Sequence, residues 1–326
     1  MSLPTLSKTW QISPNNQTTA QGSVTADARK TLRGIKNALI GFGTNPWAVR
    51  YSCSSTVAGS AGDAVDRWAA DSDLVWNGPG SAHSWIVLRQ TGISSTFEML
   101  ISCEGSGANA SQLTMYVSTS AFSGGSTTAR PTATDEVLVI GGPWITNSDI
   151  SHRYHVLQST DGQCTRIFIG SSGVCVFSAI IDKPNNPTTG WINPYFALAA
   201  FNSTTWSLTS PVLITSSNAS ALGRMRSGST TGNVSLTIEG LANNFAADTA
   251  IGNIANEIDS SWDMWPLGIA CLTTGIRGRH GSLFDLWAVS SSRASGDMIP
   301  GDGSNQFAVC MPFIIPWNGS TAPAFS

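Results

Sequence analysis

Short segments rich in β-branched and aromatic residues alternate with clusters of Gly, Asn, Ser and Pro along most of this chain. Such side chains suit a pleated, half-buried surface and the clusters favour turns, so the pattern predicts antiparallel β structure. The predicted strands are residues 84–90, 97–103, 113–120, 136–142, 153–160, 164–170, 174–181, 195–201, 234–240 and 284–290. Many short strands between turns favour a mainly β fold, and we expect a single jelly-roll-like β-sandwich over residues 44–316.

The clearest predicted hairpin joins residues 164–170 to 174–181. Both faces of its strands carry apolar side chains, so we expect the hairpin to lie at the centre of a sheet with both faces covered. In the simplest register Cys164 lies opposite Ala179 and away from Cys175, which disfavours a disulfide across the hairpin. The six cysteines include no CxxC spacing, a pattern that favours buried thiols over zinc-ribbon or thioredoxin-like sites.

One segment near the N-terminus has the periodicity of an amphipathic helix. Ala28, Leu32, Ile35 and Leu39 recur at helical spacing and predict a helix over about residues 26–41, packed on the sandwich through its apolar side. The opposite side carries four basic residues, Arg29, Lys30, Arg33 and Lys36. This basic side is either a solvated face or a contact with an acidic neighbour.

The chain outside the predicted sandwich divides into further units. Residues 1–24 are polar, with Trp10 and Ile12 as apolar anchors, and form an extended N-terminal arm. Because a polar terminal arm is ordered only when it docks, we expect it to add to a neighbouring subunit. The other units are the helical segment (25–43), a Ser/Thr/Asn-rich excursion from the sandwich (about 202–233) and a C-terminal tail (317–326).

A short acidic run precedes the first predicted strand of the chain. Asp63, Asp66, Asp71 and Asp73 lie within eleven residues. The run lacks the Gly and Glu positions of an EF-hand loop, which disfavours calcium binding. Turn capping and pairing with the neighbouring Arg67 account for it more simply.

The composition indicates an unusual surface. Only 11% of the 326 residues are charged, and the 17 basic residues include four Lys while the 20 acidic residues include five Glu. Protein interfaces are likewise depleted in Lys and Glu and enriched in Arg and aromatic residues, so we expect much of the surface to contact other subunits. The candidate interface residues are Trp10, Arg29, Arg33, Arg224, Arg226, Arg277 and Arg279. The competing interpretation is that the arginines are ordinary solvated charges.

Missing signals argue against several classes of function. No apolar run approaches the roughly 18 residues of a membrane span, and the N-terminus lacks the apolar stretch of a secretory signal. A net charge of −3 argues against a broad nucleic-acid-binding face. The chain has no GxSxG, Walker or dinucleotide-binding motif, and His152 and His155 would lie on opposite faces of a strand. We therefore expect no cofactor and no metal site. The 20 acidic residues leave open a pair of catalytic carboxylates, as glycosidases use, although nothing selects a pair.

Six runs of sequence carry a likeness to a known group of proteins. They are IKNALIGFGTNPWAVRYS, VDRWAADSDLVWNGPGSAHSWIVLRQTG, STTARPTATDE, HVLQSTDGQCTRIFI, FDLWAVSSS and PFIIPWNGSTA. They resemble structural proteins encoded by tailed bacteriophages and prophages, over most of the chain except the stretch near 202–260. The resemblance implies a virion component of the neck, collar, tail or a capsid-attached assembly, put together in the bacterial host cytoplasm. It implies other virion proteins and copies of the same chain as partners, in a ring-like or symmetric oligomer, and supplies no catalytic residues.

The alternative function is a receptor- or glycan-binding module of a phage tail, with or without hydrolase activity. Tryptophan rings stack on sugars, and the chain has 12 of them. Trp76 and Trp85 flank the run NGPGSAHS and are the candidate glycan contacts. Core packing is the competing interpretation for each of the two side chains.

Overall fold

The chain is mainly β in the computed structural model, which describes residues 6–16, 28–54, 56–74, 84–92, 96–107, 110–118, 120–134, 136–144, 152–171, 174–182, 196–201, 224–226, 233–239, 264–271, 278–289, 295–300, 306–310, 313–319 and 322–323. Within these ranges one α-helix, α1 (Ala28–Ile40), and one 3₁₀ turn (Asp71–Asp73) accompany the strands. The strands are β1 (Trp10–Ile12), β2 (Trp47–Cys53), β3 (Ser84–Gln90), β4 (Glu98–Gly107), β5 (Ala110–Ser118), β6 (Val137–Trp144), β7 (His152–Ser159), β8 (Cys164–Ser171), β9 (Val174–Asp182), β10 (Phe196–Phe201), β11 (Arg224–Arg226), β12 (Asn233–Glu239), β13 (Met264–Cys271), β14 (Gly278–Val289), β15 (Met298–Pro300), β16 (Gln306–Cys310) and β17 (Phe313–Pro316). The prediction of a mainly β chain with one N-terminal helix is confirmed.

The strands form three antiparallel sheets. We call them the arm sheet (β1-β7-β8-β9-β10), the meander sheet (β2-β3-β4-β5-β6) and the C-terminal sheet (β11-β12-β13-β14-β17-β16-β15). Each of the ten predicted segments overlaps a strand of one of these sheets. The division into three sheets was not predicted, because a local pattern indicates which residues form strands and not which strands pair.

The arm sheet, the meander sheet and α1 contribute to one hydrophobic core. Leu32, Ile35 and Leu39 of α1 are buried, as the helical periodicity predicts, and they join a cluster with side chains of both sheets. Ile86 of β3 and Ile167 of β8 are examples from the meander sheet and the arm sheet. Strands β15, β16 and β17 carry a separate cluster, of Ile299, Phe307, Val309 and Ile314, against which Leu6 packs.

The predicted central hairpin is strands β8 and β9, in a different register from the one expected. Cys164 lies opposite Asp182 instead of Ala179, and the register shifts between Ile169 and Gly170. Ser171 already pairs with Val174 where the hairpin closes, and the irregularity adds one further residue of offset. An alternation pattern reveals neither. The covered position is confirmed for β8, the middle strand of the arm sheet, since Cys164 to Gly170 are all buried. Cys53, Cys164 and Cys310 are buried thiols.

A glycine in the middle of α1 allows the helix to lie close to β7. A Cβ atom added to Gly34 would collide with the hydroxyl oxygen and the ring of Tyr154. Real Cβ atoms do not approach other atoms so closely, so either the helix or the tyrosine would have to shift. The close approach explains why a residue that disfavours helices stands at this position.

Gly34→Ala is therefore expected to lower the free energy of unfolding by about 1–3 kcal/mol, although Ala in a helix is normally more favourable than Gly by about 1 kcal/mol. Urea denaturation measures the change. Asn37→Ala is the matched control, because Asn37 lies on the exposed side of α1 and its replacement improves helix propensity. A Gly34→Ala protein as stable as the wild type would show that Tyr154 moves aside without cost.

Candidate functional site

The described part of the N-terminal arm lies along the edge of the arm sheet. β1 pairs with β7, with Trp10 opposite Ser159 and Ile12 opposite Leu157. The side-chain amide of Asn16 continues the pairing, since its Oδ1 accepts the N–H of Val156 at 2.8 Å and its Nδ2 donates to the Val156 carbonyl at 3.2 Å. We expected the arm on a neighbouring subunit, and in this single chain it docks on its own sheet instead. We call the surface that receives it the arm acceptor.

One carboxylate is the centre of the arm acceptor. Oδ1 of Asp285 accepts the backbone N–H and the hydroxyl of Ser7, both at 2.6 Å. Its Oδ2 accepts the backbone N–H of Lys8 at 2.9 Å and the indole Nε1–H of Trp10 at 2.7 Å. Asp285 is 4% exposed and Trp10 6%. Four donors from three arm residues thus bind a buried carboxylate, and hydrogen bonds to charged acceptors are stronger than those between neutral groups.

The backbone around Asp285 is irregular in a way that presents this side chain. Along β14, Trp287 pairs with Pro266 of β13 and Ser282 pairs with Gly268, so several residues of β14 bulge out opposite a single residue of β13. Asp285 lies in this bulge with a φ of 47°. Aspartate tolerates the left-handed region better than most residues, and bulges commonly redirect a side chain.

An arginine completes the acceptor beneath the tryptophan. Arg166, on the middle strand β8, is fully buried and donates from Nη1 to the backbone carbonyl of Asp285 at 2.9 Å. Its guanidinium carbon lies 4.2 Å from the centre of the Trp10 ring, a separation at which a cation attracts an aromatic face. The same arginine therefore supports the bulge that carries Asp285 and the aromatic anchor of the arm.

Further contacts hold the N-terminal half of the arm. Nζ of Lys8 donates to Oδ2 of Asp161 at 2.5 Å and to Oε1 of Gln163 at 3.1 Å. Nδ2 of Asn318 donates to the carbonyl of Trp10 at 3.0 Å. The arm thus connects the edge of the arm sheet to the C-terminal part of the chain.

The carboxylate that pairs with Lys8 makes part of this docking pH-dependent. Burial by itself would raise the pKa of Asp161, but hydrogen bonds from Lys8, Ser159 and the N–H of Gln163 outweigh it and hold the pKa below its ordinary value. A lowered pKa in the folded state means that the pair contributes stability above the ordinary carboxyl range. That contribution is lost as the pH falls through the lowered value.

A second buried carboxylate ties the meander sheet together. Glu98 of β4 is fully buried, and its Oε1 accepts Nη2 and Nε of Arg89 at 2.6 and 2.9 Å. Its Oε2 accepts Nη1 of Arg50 at 3.1 Å and the backbone N–H of Phe122 at 2.7 Å. The contacts join β2, β3, β4 and the segment after β5. Arginine can do this because its planar fork presents several donors to one carboxylate, which lysine does not.

The basic side of α1 meets the acidic run of the same chain. Lys36 is 2% exposed, and its Nζ donates to Oδ2 of Asp66 at 2.5 Å and to the carbonyl of Trp68 at 3.1 Å. Asp63 pairs with Arg67 at 2.8 Å and accepts backbone N–H groups nearby. Hydrogen bonding from Arg67 holds the pKa of Asp63 below its ordinary value. Turn capping and pairing with Arg67 are confirmed as the role of Asp63.

The structure places three of the predicted site residues. Trp10 is the anchor of the arm, and Arg33 donates to the carbonyl of Ala69. Trp85 is fully buried, donates to the carbonyl of Ser126 at 2.8 Å and meets Tyr51 edge to face. It is a core residue with no face exposed to a sugar. The other candidates lie outside the described residues or side chains, namely Trp76, Arg29, Arg224, Arg226, Arg277 and Arg279.

The residues that carry the arm acceptor were not predicted from the sequence. Arg166 and Asp285 each stand within an otherwise apolar strand segment, CTRIFIG and FDLWAVS. In a buried strand a charged residue must be paired. A charged residue within an apolar segment was therefore the sequence signal that could have revealed these two positions.

A polar cleft of about 460 Å³ opens between the arm and α1, lined by Asn15, Asn16, Asn37, Ile40, Gly41, Asp66 and Tyr154. Several of its polar groups bind the chain itself, since Asn16 pairs with β7 and Nδ2 of Asn15 donates to the carbonyl of Asn37 at 3.0 Å. Burial raises the pKa of Tyr154. Amides, a carboxylate and an aromatic ring together could hold a small polar ligand.

No family model matches the chain, and no curated protein is significantly similar to it. Among the side chains that the structure describes, no group of three or more His, Cys, Asp or Glu could hold a metal ion. No described helix has the length and the apolar character needed to cross a bilayer.

Proposed function

We propose that this protein is a structural component of a tailed-phage virion, in the neck, collar, tail or a capsid-attached assembly, and that it acts through protein–protein contacts without catalysis. We also propose that the arm sheet and the meander sheet, which share one core, form its β-sandwich. The resemblance to phage structural proteins is what supports a place in the virion. The arm site supports the mode of action.

The observation that carries the proposal is how the buried charges are used. Asp285, Glu98 and Lys36 each bind segments of their own chain through several hydrogen bonds. Buried charges arranged in this way hold an arm and loops in place. Such a use of charge suits a building block that must keep its shape in an assembly.

A rigid apolar loop supports a contact with other proteins. Within the described residues, the exposed large hydrophobic side chains are Val57 at 52% and Val65 at 45%, both in residues 56–66, which we call the apolar loop. Backbone hydrogen bonds hold the loop, from Asp63 to Ser60 within it and from Gly59 and Ala64 to carbonyls of β2. Ala64 has a φ of 58°. A backbone in this strained region persists only where the surroundings determine it, and such residues cluster at functional sites.

The double variant Val57→Asp/Val65→Asp is expected to keep its fold and to lose its place in the particle. Two charges at a protein contact weaken association by about tenfold or more, whereas in solution both side chains already face water. The measurement is the amount of the protein in purified particles, when a phage that lacks the gene is complemented with each variant. Circular dichroism and thermal melting of the isolated protein verify the fold.

Thr56→Asp/Ser60→Asp is the matched control, because it adds the same charges to exposed positions of the same loop and keeps both valines. Normal incorporation of the valine variant would show that the apolar loop faces solvent in the particle. Absence of the wild-type protein from purified particles would contradict the proposed function itself.

Glycan binding is a second candidate, and the polar cleft beside α1 is the observation that favours it. Trp85 no longer supports this candidate, because its ring is in the core. Binding of the isolated protein to a glycan array, lost on Asn37→Ala, would favour a receptor-binding module. No binding to any glycan would leave assembly as the function.

A further inference from the structure

We propose that the arm acceptor is also the joint between copies of this chain, with the arm of one copy docked in the acceptor of the next. The occupant is residues 6–16 of a second, identical chain. The proposal deepens the proposed function by naming a partner and a site. It rests on the proposed function only for the role that arm exchange would have in the particle. The exchange itself is a property of the purified protein.

The arm acceptor is built from residues far from the arm in sequence. Trp10 is 275 residues from Asp285, and its carbonyl accepts from a residue 308 positions away. The arm also contacts α1, from Ser13 to the Ala38 carbonyl and from Asn15 to the Asn37 carbonyl, and these contacts would be exchanged together with the others. A second copy offers the same carboxylate and the same strand edge, so each hydrogen bond can form equally well between chains. Exchange of an identical element is accordingly a low-cost route to an oligomer.

The chemistry of the arm matches the acceptor closely enough to name the occupant. Lys8 is the only charged residue among the first 26, and it meets the carboxylate of Asp161. The N–H groups of Ser7, Lys8 and Trp10 converge on Asp285. An extended segment without this lysine and this tryptophan would lose the ammonium donor to Asp161 and the indole donor to Asp285, which disfavours unrelated peptides.

Emptying the arm acceptor costs free energy, and this cost favours the binding of another arm. Loss of the arm removes all four donors described for Asp285, which is buried, and uncovers the edge of β7 at Val156. Buried carboxylates without donors are strongly unfavourable, and an open strand edge recruits another strand. The eleven residues 17–27 connect Asn16 to Ala28 and span at most about 40 Å when extended, which lets an arm reach an adjacent copy. At high local concentration, as in an assembly, exchange wins by mass action.

The test uses the wild-type chain and the contact between Lys8 and Asp161. Equal amounts of ¹⁴N-labelled and ¹⁵N-labelled protein are unfolded together, refolded at high concentration and treated with a carbodiimide. This reagent joins an amine to a carboxylate that touches it. Mass spectrometry then shows whether the two peptides of each Lys8–Asp161 crosslink come from one label or from both.

Arm exchange predicts crosslinks of mixed label, approaching about half of the total as the protein concentration rises and declining on dilution. Lys8→Gln is the control that abolishes this crosslink and no other. Crosslinks of a single label at every concentration would overturn the proposal, and so would the absence of the Lys8–Asp161 crosslink. Either result could occur with the protein present in virions, so the proposed function can stand when the exchange fails.

Discussion

Asp285→Ala is expected to lower the free energy of unfolding by about 3–5 kcal/mol, because one substitution leaves a set of buried donors without an acceptor. The indole N–H of Trp10 and the backbone N–H groups of Ser7 and Lys8 lose their partner together. Alanine also fits poorly at a φ of 47°, where aspartate and asparagine are tolerated. Urea denaturation gives the change in free energy, and limited proteolysis at the N-terminus reports release of the arm.

Two controls separate the causes of this loss. Asp285→Asn keeps the shape and the tolerance of positive φ, so the part of the stability loss that it still shows is due to the charge and to one of the two acceptor oxygens. Asp161→Asn removes the other carboxylate of the arm acceptor, whose side chain is 40% exposed, and we expect a loss of less than about 1 kcal/mol. Equal and small effects of Asp285→Ala and Asp161→Asn would contradict the central role of Asp285.

Glu98→Ala is expected to cost about 2–4 kcal/mol. The backbone N–H of Phe122 loses its acceptor and Arg50 loses its carboxylate, while Arg89, with a side chain 43% exposed, can turn to water. Because the glutamate joins three strands to the segment after β5, the variant should also expose residues 120–134 to proteolysis. Urea denaturation again provides the measurement.

Glu136→Ala is the matched control for this prediction. Glu136 receives a two-pronged contact from Arg130, as Glu98 does from Arg89, but both side chains of the Arg130–Glu136 pair are about one-fifth exposed. A partly solvated pair contributes about 0–1 kcal/mol. If the two variants were equally stable, burial of Glu98 would not be the reason for its contribution.

The sequence predicted ten of the seventeen described strands, missed β1, β2, β11, β13, β15, β16 and β17, and predicted strand partners poorly. Alternation and turn residues are local signals, and they located β3 and α1 almost to the residue. The register of β8 on β9 depends on the closing pair Ser171–Val174 and on an extra residue in β9 between Cys175 and Phe177. The three-sheet division depends on contacts between distant strands. Neither leaves a trace in the local pattern.

The candidate site was predicted only on the arm side. Trp10 stood out as an apolar anchor in a polar segment, whereas its acceptor, Asp285, lies 275 residues away.

The bias toward arginine has an explanation in the fold that composition could not provide. Arg50, Arg89 and Arg166 bind groups of their own chain, so part of the arginine excess serves internal contacts and does not indicate an interface.

The most direct measurement of the central claim is a cryo-electron microscopy reconstruction of purified particles of the phage that encodes the chain. The proposed function predicts several copies at symmetric positions of the neck, collar, tail or capsid surface, with the arm sheet and the meander sheet fitting the density without rearrangement. It also predicts density for an arm at each Asp285. Particles that are infectious and complete without this chain would contradict the proposed function.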